Sequence, residues 1–247
     1  ESATLNTHEH LEVISRTIEV ANGRISVVAG TGSNSTEETL HQTKEAESLG
    51  ADACLLVTPY YNRPTQDGLY AHFRKVAETT SVPLVLYNVP GRTGCDLLPE
   101  TIGRLSSIEG IVGIKEASGK IERVSEIRSV SASDFFILSG EDALTLEMMN
   151  NGAVGTISVT ANVLPNAMAE FCGSFLAGNI KRASAIDEVL QSVHEILFIE
   201  SNPTPAKWAL HQMGIIHEGI RMPLLPLSSR YRSELKKRID EAMEALK

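Results

Sequence analysis

Two apolar stretches of the chain carry residues that could do carbonyl chemistry, and the first of them holds a lysine. Residues Ile111 to Ser118 read IVGIKEAS, so Lys115 lies inside an apolar, β-branched run of the kind that forms a buried parallel strand. Burial without a partner lowers the pKa of a lysine, and the neutral amine attacks carbonyl groups. Lys115 is therefore a candidate Schiff-base lysine; the alternative is a strand-end lysine that reaches solvent along its aliphatic stem.

The second stretch is Pro83–Pro90 (PLVLYNVP), which is followed by Gly91–Gly94 (GRTG). Tyr87 carries a hydroxyl that both donates and accepts protons, and Arg92 could hold a carboxylate. Tyr87 could instead simply fill the interior of a barrel. Taken together with Lys115, these residue types predict an enzyme that joins a keto acid to lysine as a Schiff base. The protonated Schiff base is an iminium, which withdraws electrons from the neighbouring carbon. This chemistry therefore needs neither a metal nor an organic cofactor.

Composition limits the class of protein. The 247 residues suffice for one large domain or a domain with an appendage, and 42% apolar and 21% charged residues are ordinary for a soluble globular protein. The formal net charge of -9 argues against nucleic acid or an anionic membrane as partner. The three cysteines, Cys54, Cys95 and Cys172, are widely spaced, which argues against a disulfide framework or a zinc site and predicts a reducing, cytoplasmic location. Cys54 lies in an apolar run and is predicted to be a core residue.

The first two-thirds of the chain alternates predicted strands and helices, which indicates a parallel α/β sheet. Strands are predicted at Ile25–Gly30, Ala53–Pro59, Leu84–Val89, Ile111–Glu116, Phe135–Gly140 and Gly155–Thr160. Helices are predicted at Leu5–Ala21, Thr36–Leu49, Asp67–Thr80, Pro99–Ser106, Ile121–Ser131, Glu141–Asn150 and Pro165–Ala177, and then at Ile180–Ile199, Thr204–Met213 and Ser229–Leu246.

Polar residues recur at the carboxyl end of nearly every predicted strand, which favours a (β/α)8 TIM barrel over an open doubly wound sheet. The absence of a GxGxxG or Walker motif also weakens the open-sheet alternative. We expect a catalytic barrel over residues 1–178 and an all-helical domain over residues 179–247. A barrel needs about two strands more than the sequence displays, so we expect an N-terminal βαβ segment to be missing from this chain.

Several longer motifs resemble one family. YNVPGRTG and GIKEAS, together with VTPYYNRPTQDGLYAHF, ISVTANV and NPTPAKWAL, closely resemble the dihydrodipicolinate synthase (4-hydroxy-tetrahydrodipicolinate synthase) family of pyruvate-dependent class I aldolases. The resemblance covers essentially the whole chain. It implies a lyase of lysine and diaminopimelate biosynthesis that condenses pyruvate with L-aspartate 4-semialdehyde, without a cofactor, as a homotetramer built from two dimers.

The resemblance also implies a role for each matching residue. Lys115 would form the Schiff base with pyruvate, Tyr87 would shuttle protons over the imine, and Tyr61 would reach into the site of a neighbouring subunit. Arg92 would bind the carboxylate of the semialdehyde. The pyruvate pocket would be lined by Gly140 and Ile157.

A second set of residues matches the site at which lysine inhibits members of this family. There Glu38 could pair with the effector's ammonium, although His10 and Glu38 alone read as ordinary helix-surface residues. A histidine present in many inhibited enzymes is Thr7 in this chain. The matching residues are Ser2, Ala3, Leu5, His10, Asn34, Glu38 and Tyr60.

Two other functions remain open from the sequence. One is an N-acetylneuraminate or sugar-acid lyase of the same superfamily, from which Arg92 discriminates because those lyases usually carry an apolar residue there. The other is a catalytically inert form, since family members carry Gly-Thr-Thr-Gly directly before the glutamate that matches Glu1, and this chain begins after it.

Overall fold

Five parallel strands form one sheet in the computed structural model, which describes residues 1–247, and they pair in sequence order. Each is a short apolar run, and helices connect it to the next, so that all carboxyl ends lie along one edge of the sheet. The parallel α/β class is confirmed. The strands are β1 (Val28–Gly30), β2 (Ala53–Val57), β3 (Leu84–Asn88), β4 (Ile111–Glu116) and β5 (Phe136–Ser139).

Several helices begin or end at residues whose local chemistry favours a helix terminus. Ser35 accepts a hydrogen bond from the backbone N–H of Glu38 at the start of one helix, and Gly50 ends it in the left-handed conformation with φ 92°. Pro99 and Pro165 open two others at first-turn positions. The helices are α1 (Thr7–Ala21), α2 (Thr36–Leu49), α3 (Gln66–Ala77), α4 (Pro90–Thr93), α5 (Pro99–Leu105), α6 (Glu122–Val130), α7 (Thr145–Asn150), α8 (Pro165–Leu176), α9 (Ile180–Ile196), α10 (Thr204–Gln212) and α11 (Ser229–Ala245).

The chain divides into two compact units, and each has its own core. The sheet unit comprises Leu5–Gly140 and Asn151–Val154, and its core contains fully buried strand residues such as Leu56 and Leu86. The helical unit comprises Glu1–Thr4, Glu141–Asn150 and Gly155–Lys247. In it α9 packs against α8 and α11 through buried apolar side chains. The predicted domain boundary at residue 178 stays a prediction.

The prediction of a sixth strand at Gly155–Thr160 is wrong. Only Thr156 makes an isolated bridge there, and a 3-10 helix begins at Thr160. The Asp142 carboxylate accepts hydrogen bonds from the backbone N–H groups of Val159 (2.9 Å) and Thr160 (2.8 Å), so these donors are not available to a strand ladder. No helix combines the length and the apolar character that crossing a bilayer requires.

Candidate active site

Lys115 and Tyr87 lie side by side at the carboxyl edge of the sheet. They are direct partners in the parallel register of β3 and β4. The Nζ atom of Lys115 lies 4.3 Å from the centre of the Tyr87 ring. Both side chains are half-buried, so solvent and a small substrate have access to them. The structure thus brings the predicted nucleophile and the predicted acid/base together, although the two are 28 positions apart in the chain.

Gly140 provides the space that the lysine side chain occupies. It follows β5, and its backbone N–H donates to the Glu116 carbonyl at 2.8 Å. A Cβ atom at Gly140 would lie 2.9 Å from Lys115 Cε and 2.7 Å from Ala117 Cβ, closer than real Cβ contacts allow. Glycine at this position therefore allows the Lys115 side chain to extend past the end of β5.

Arg92 lies in the short helix α4, directly after β3 and at the same sheet edge as Tyr87. Its side chain is exposed, whereas the next residue, Thr93, is buried. The hydroxyl of Thr58 donates to the Thr93 hydroxyl at 3.3 Å, and the Thr93 hydroxyl donates to the Cys95 carbonyl at 2.9 Å. This buried anchor fixes the turn that presents the exposed guanidinium.

The side chain of Tyr61 points into solvent. Its side chain is 90% exposed, and its φ of 71° is unusual for a residue other than glycine. The loop that carries it is nevertheless fixed, because the Tyr61 N–H donates to the Thr93 carbonyl at 3.3 Å and the Asn62 amide donates to the Asn34 carbonyl at 2.8 Å. The neighbouring Tyr60 is also exposed.

Ile157, the remaining predicted pocket residue, belongs to the helical unit, where it is half-buried. It lies in the segment that was predicted as the sixth strand and has no strand partner. The structure therefore gives Ile157 a different local conformation from the one that the sequence predicted.

The residues of the predicted lysine site fall in both units. Ser2 and Ala3 lie in a 3-10 helix of the helical unit, and Leu5 begins the sheet unit.

Within the sheet unit, four of these residues lie around the carboxyl ends of β1 and β2. A ring nitrogen of His10 lies 2.7 Å from the Gly30 carbonyl oxygen. The Glu38 carboxylate accepts from the Ser33 hydroxyl at 2.6 Å. Asn34 and Tyr60 lie on the two loops that the Asn34–Asn62 hydrogen bond joins.

Sequence reasoning missed two buried polar residues, Asn88 and Glu116, which directly follow Tyr87 and Lys115. Their exposure is 0% and 1%, and the Asn88 amide donates to the Glu116 carboxylate at 3.1 Å. Burial raises the pKa of the Glu116 carboxyl, against the lowering effect of hydrogen bonds from Ser118 and Asn88. The signal was visible, since each is a polar residue at the end of an apolar strand.

A parallel α/β sheet with a lysine amine against a tyrosine ring at its carboxyl edge is the arrangement expected of a barrel-type enzyme of the class I aldolase kind. Over residues 1–242 the chain matches the family described as the Dihydrodipicolinate synthetase family, and it belongs to that family. This confirms the resemblance that the motifs carry.

Curated relatives and solved structures agree with this assignment. The 4-hydroxy-tetrahydrodipicolinate synthase of Methylococcus capsulatus is 54% identical over 242 residues, which cover 98% of this chain and 83% of the relative. The chloride-inhibited dihydrodipicolinate synthase of Acinetobacter baumannii, complexed with pyruvate, superposes with a TM-score of 0.96 at 49% identity and 98% and 84% coverage. The enzyme of Cyanidioschyzon merolae with lysine bound gives 0.94 at 37% identity and 98% and 83% coverage. The barrel fold class is thereby confirmed.

Proposed function

We propose that this protein is a 4-hydroxy-tetrahydrodipicolinate synthase, a lyase that condenses pyruvate with L-aspartate 4-semialdehyde in lysine and diaminopimelate biosynthesis. The observation that carries the proposal is the Lys115 amine 4.3 Å from the centre of the Tyr87 ring, at the carboxyl edge of a parallel sheet. Family membership over residues 1–242 supports the same reaction.

The chemistry follows from the amine. The Lys115 nitrogen adds to the keto carbon of pyruvate, and water leaves to give an iminium. The iminium withdraws electrons, so the methyl group loses a proton and an enamine forms. The enamine carbon then attacks the aldehyde carbon of the semialdehyde, and the aldehyde oxygen takes up a proton. Attack of the semialdehyde's own amino group on the former keto carbon closes the ring and releases Lys115.

The other site residues are assigned by their chemistry and position. Tyr87 transfers protons at the imine, because its ring lies against the lysine nitrogen and its hydroxyl can both donate and accept. Arg92 binds the carboxylate of the semialdehyde from the exposed turn after β3. Gly140 and Ile157 line the pyruvate pocket. Tyr61 completes the proton relay of a neighbouring subunit, which requires at least a dimer, and two dimers form a homotetramer.

Reductive trapping tests the function. Incubation with pyruvate and borohydride should add the mass of reduced pyruvate at Lys115, and turnover should be measurable with the semialdehyde present. Lys115→Ala should abolish both while leaving the fold intact. Lys120→Ala is the matched control, because Lys120 is exposed five residues further along. A parent protein that forms no adduct, or a folded Lys115→Ala variant that retains turnover, would contradict the proposal.

We further propose that lysine inhibits the enzyme through Ser2, Ala3, Leu5, His10, Asn34, Glu38 and Tyr60. Glu38 would bind the effector's ammonium, since its exposed carboxylate already accepts from the hydroxyl of Ser33. The related structure with lysine bound supports the proposal. Calorimetric titration with L-lysine tests it: heat released by the parent should be largely lost in Glu38→Gln and kept in Glu37→Gln. A cytoplasmic location is proposed from the cysteine usage.

A further inference from the structure

A buried polar cluster lies on the face of the sheet opposite to the reactive side chains. Successive side chains of a strand point to opposite faces, so Asn88 and Glu116 lie behind Tyr87 and Lys115. Asn88 and Glu116 are themselves direct partners in the register of β3 and β4. A polar pair that is buried at this place costs free energy unless every group is satisfied.

The Asn88 side chain uses its donors and its acceptor fully. Its amide nitrogen donates to Asp96 Oδ1 at 2.9 Å and to Glu116 Oε2 at 3.1 Å. Its carbonyl oxygen accepts from the backbone N–H of Leu97 at 2.9 Å. One amide thus joins the end of β3 to the end of β4 and to the segment that leads into α5.

The two carboxylates are held from their other sides. Arg123 of α6 donates to both oxygens of Asp96, at 3.2 and 3.0 Å, and its side chain is only 5% exposed. The same guanidinium donates to the Leu97 carbonyl at 3.3 Å. The Ser118 N–H donates to Glu116 at 2.7 Å. The cluster therefore connects two strand ends, a loop and a helix. Burial strengthens the bonds between Asn88 and Glu116, whereas Asp96 is one third exposed.

We propose that Asn88 is a positioning residue: its amide fixes the ends of β3 and β4 from the outer face, and so keeps Tyr87 and Lys115 in reactive alignment. The inference rests on the proposed function, because it concerns the rate of the same imine chemistry. Asn88 acts through the two strand backbones and is not assigned any contact with substrate.

Only an amide fits these bonds. An aspartate at this position would have no donor and would stand beside two other carboxylates, which disfavours the charged state of all three. A leucine would leave Asp96 and Glu116 each without one of their buried donors. The position thus demands two donors and one acceptor, which asparagine supplies.

The test exchanges the amide and the carboxylate. Asn88→Asp is compared with Glu116→Gln and with the double variant that combines them, in which a carboxylate and an amide again face each other. Thr43→Val is the control, because it removes another fully buried hydrogen bond of the sheet unit, to Thr31 at 2.9 Å. The measurements are kcat, KM for pyruvate, the rate of borohydride-trapped adduct formation at Lys115, and the melting temperature.

Each single variant should lower kcat and the rate of adduct formation by about ten- to a hundredfold, since misplacement of reacting groups by roughly 1 Å has effects of this size. KM for pyruvate should change little, and Thr43→Val should lose stability without losing rate. The double variant should regain only part of the lost rate, because it restores the contact between positions 88 and 116 but leaves Asp96 without its amide donor.

A folded Asn88→Asp variant with the parent's rates would overturn the inference. So would a double variant that regains the melting temperature without the rate, or a Thr43→Val variant that slows as much at equal loss of stability. A parent that forms no adduct refutes the proposed function itself, and the inference with it. A parent that forms the adduct at rates that the variants share refutes only the role of Asn88.

Discussion

Arg92 carries its charge in an exposed turn at the carboxyl edge of the sheet, where it can meet the second substrate. Arg92→Ala should lower kcat/KM for the semialdehyde by ten- to over a hundredfold, because a charge-assisted bidentate contact is worth about 1.5–3 kcal/mol. Trapping of pyruvate at Lys115 should be nearly unchanged.

The control for Arg92 is Arg74→Ala, which removes an exposed arginine of α3 that pairs with Glu78, the residue after that helix. It should leave both reactions at the parent's rates. If Arg92→Ala slows pyruvate trapping and semialdehyde use equally, Arg92 serves the first substrate or the structure instead.

His72 makes the stability of the sheet unit depend on pH. Burial lowers the pKa of His72 from its ordinary 6.5 to about 4. The folded state therefore holds a neutral imidazole, and its contribution to stability is lost as pH falls from the unfolded pKa towards the folded one.

Between pH 7 and pH 5 the parent should lose about 1–2 kcal/mol more free energy of unfolding than His72→Gln, whose side chain does not titrate. Urea titrations of both proteins at the two pH values measure this difference. Equal losses in the two proteins would show that His72 titrates normally or is not the group responsible.

At the scale of elements, the residue after β5 must leave room for the side chains at the end of β4. Gly140→Ala should lower the melting temperature and slow imine formation, because the new Cβ would lie 2.9 Å from Lys115 Cε and 2.7 Å from Ala117 Cβ. Gly173→Ala is the control: Gly173 lies in α8 with open space around it, and alanine should stabilise a helix there by about 0.5–1 kcal/mol. Parent-like kinetics in Gly140→Ala would show that the lysine side chain can avoid the added carbon.

At the scale of the whole molecule, Tyr61 requires a second copy of the chain if it acts in a relay. Its 90% exposed ring lies on a loop that hydrogen bonds fix within the protomer, so a neighbouring subunit can receive it. Tyr61→Phe alone should lose rate without losing the dimer.

Mixing Tyr61→Phe with Lys115→Ala should restore part of the activity after subunit exchange. In the mixed dimer one site carries both lesions and the other carries neither. Native mass spectrometry establishes the exchange. The control is Tyr61→Phe mixed with a second preparation of Tyr61→Phe, which should regain no activity. Exchange without any return of activity would assign Tyr61 to its own subunit.

The sequence by itself determined the local elements and the reactive residue types. The five strands and every α-helix except the four-residue α4 were predicted from the sequence, with some bounds shifted, because hydrophobic periodicity acts within a few residues. Burial of Cys54 was predicted and is confirmed. Lys115 was identified because a charged side chain within an apolar strand costs free energy of burial, which makes such a residue a candidate for a chemical role.

Only the tertiary structure decided how these residues meet. The predicted strand Gly155–Thr160 was lost because a carboxylate from a distant segment, Asp142, takes its backbone donors. The pairing of Tyr87 with Lys115, and the amide of Asn88 behind them, depend on the register between strands 28 positions apart. Such contacts are set by the collective packing of residues that are remote in sequence, and no local pattern of residue types encodes them.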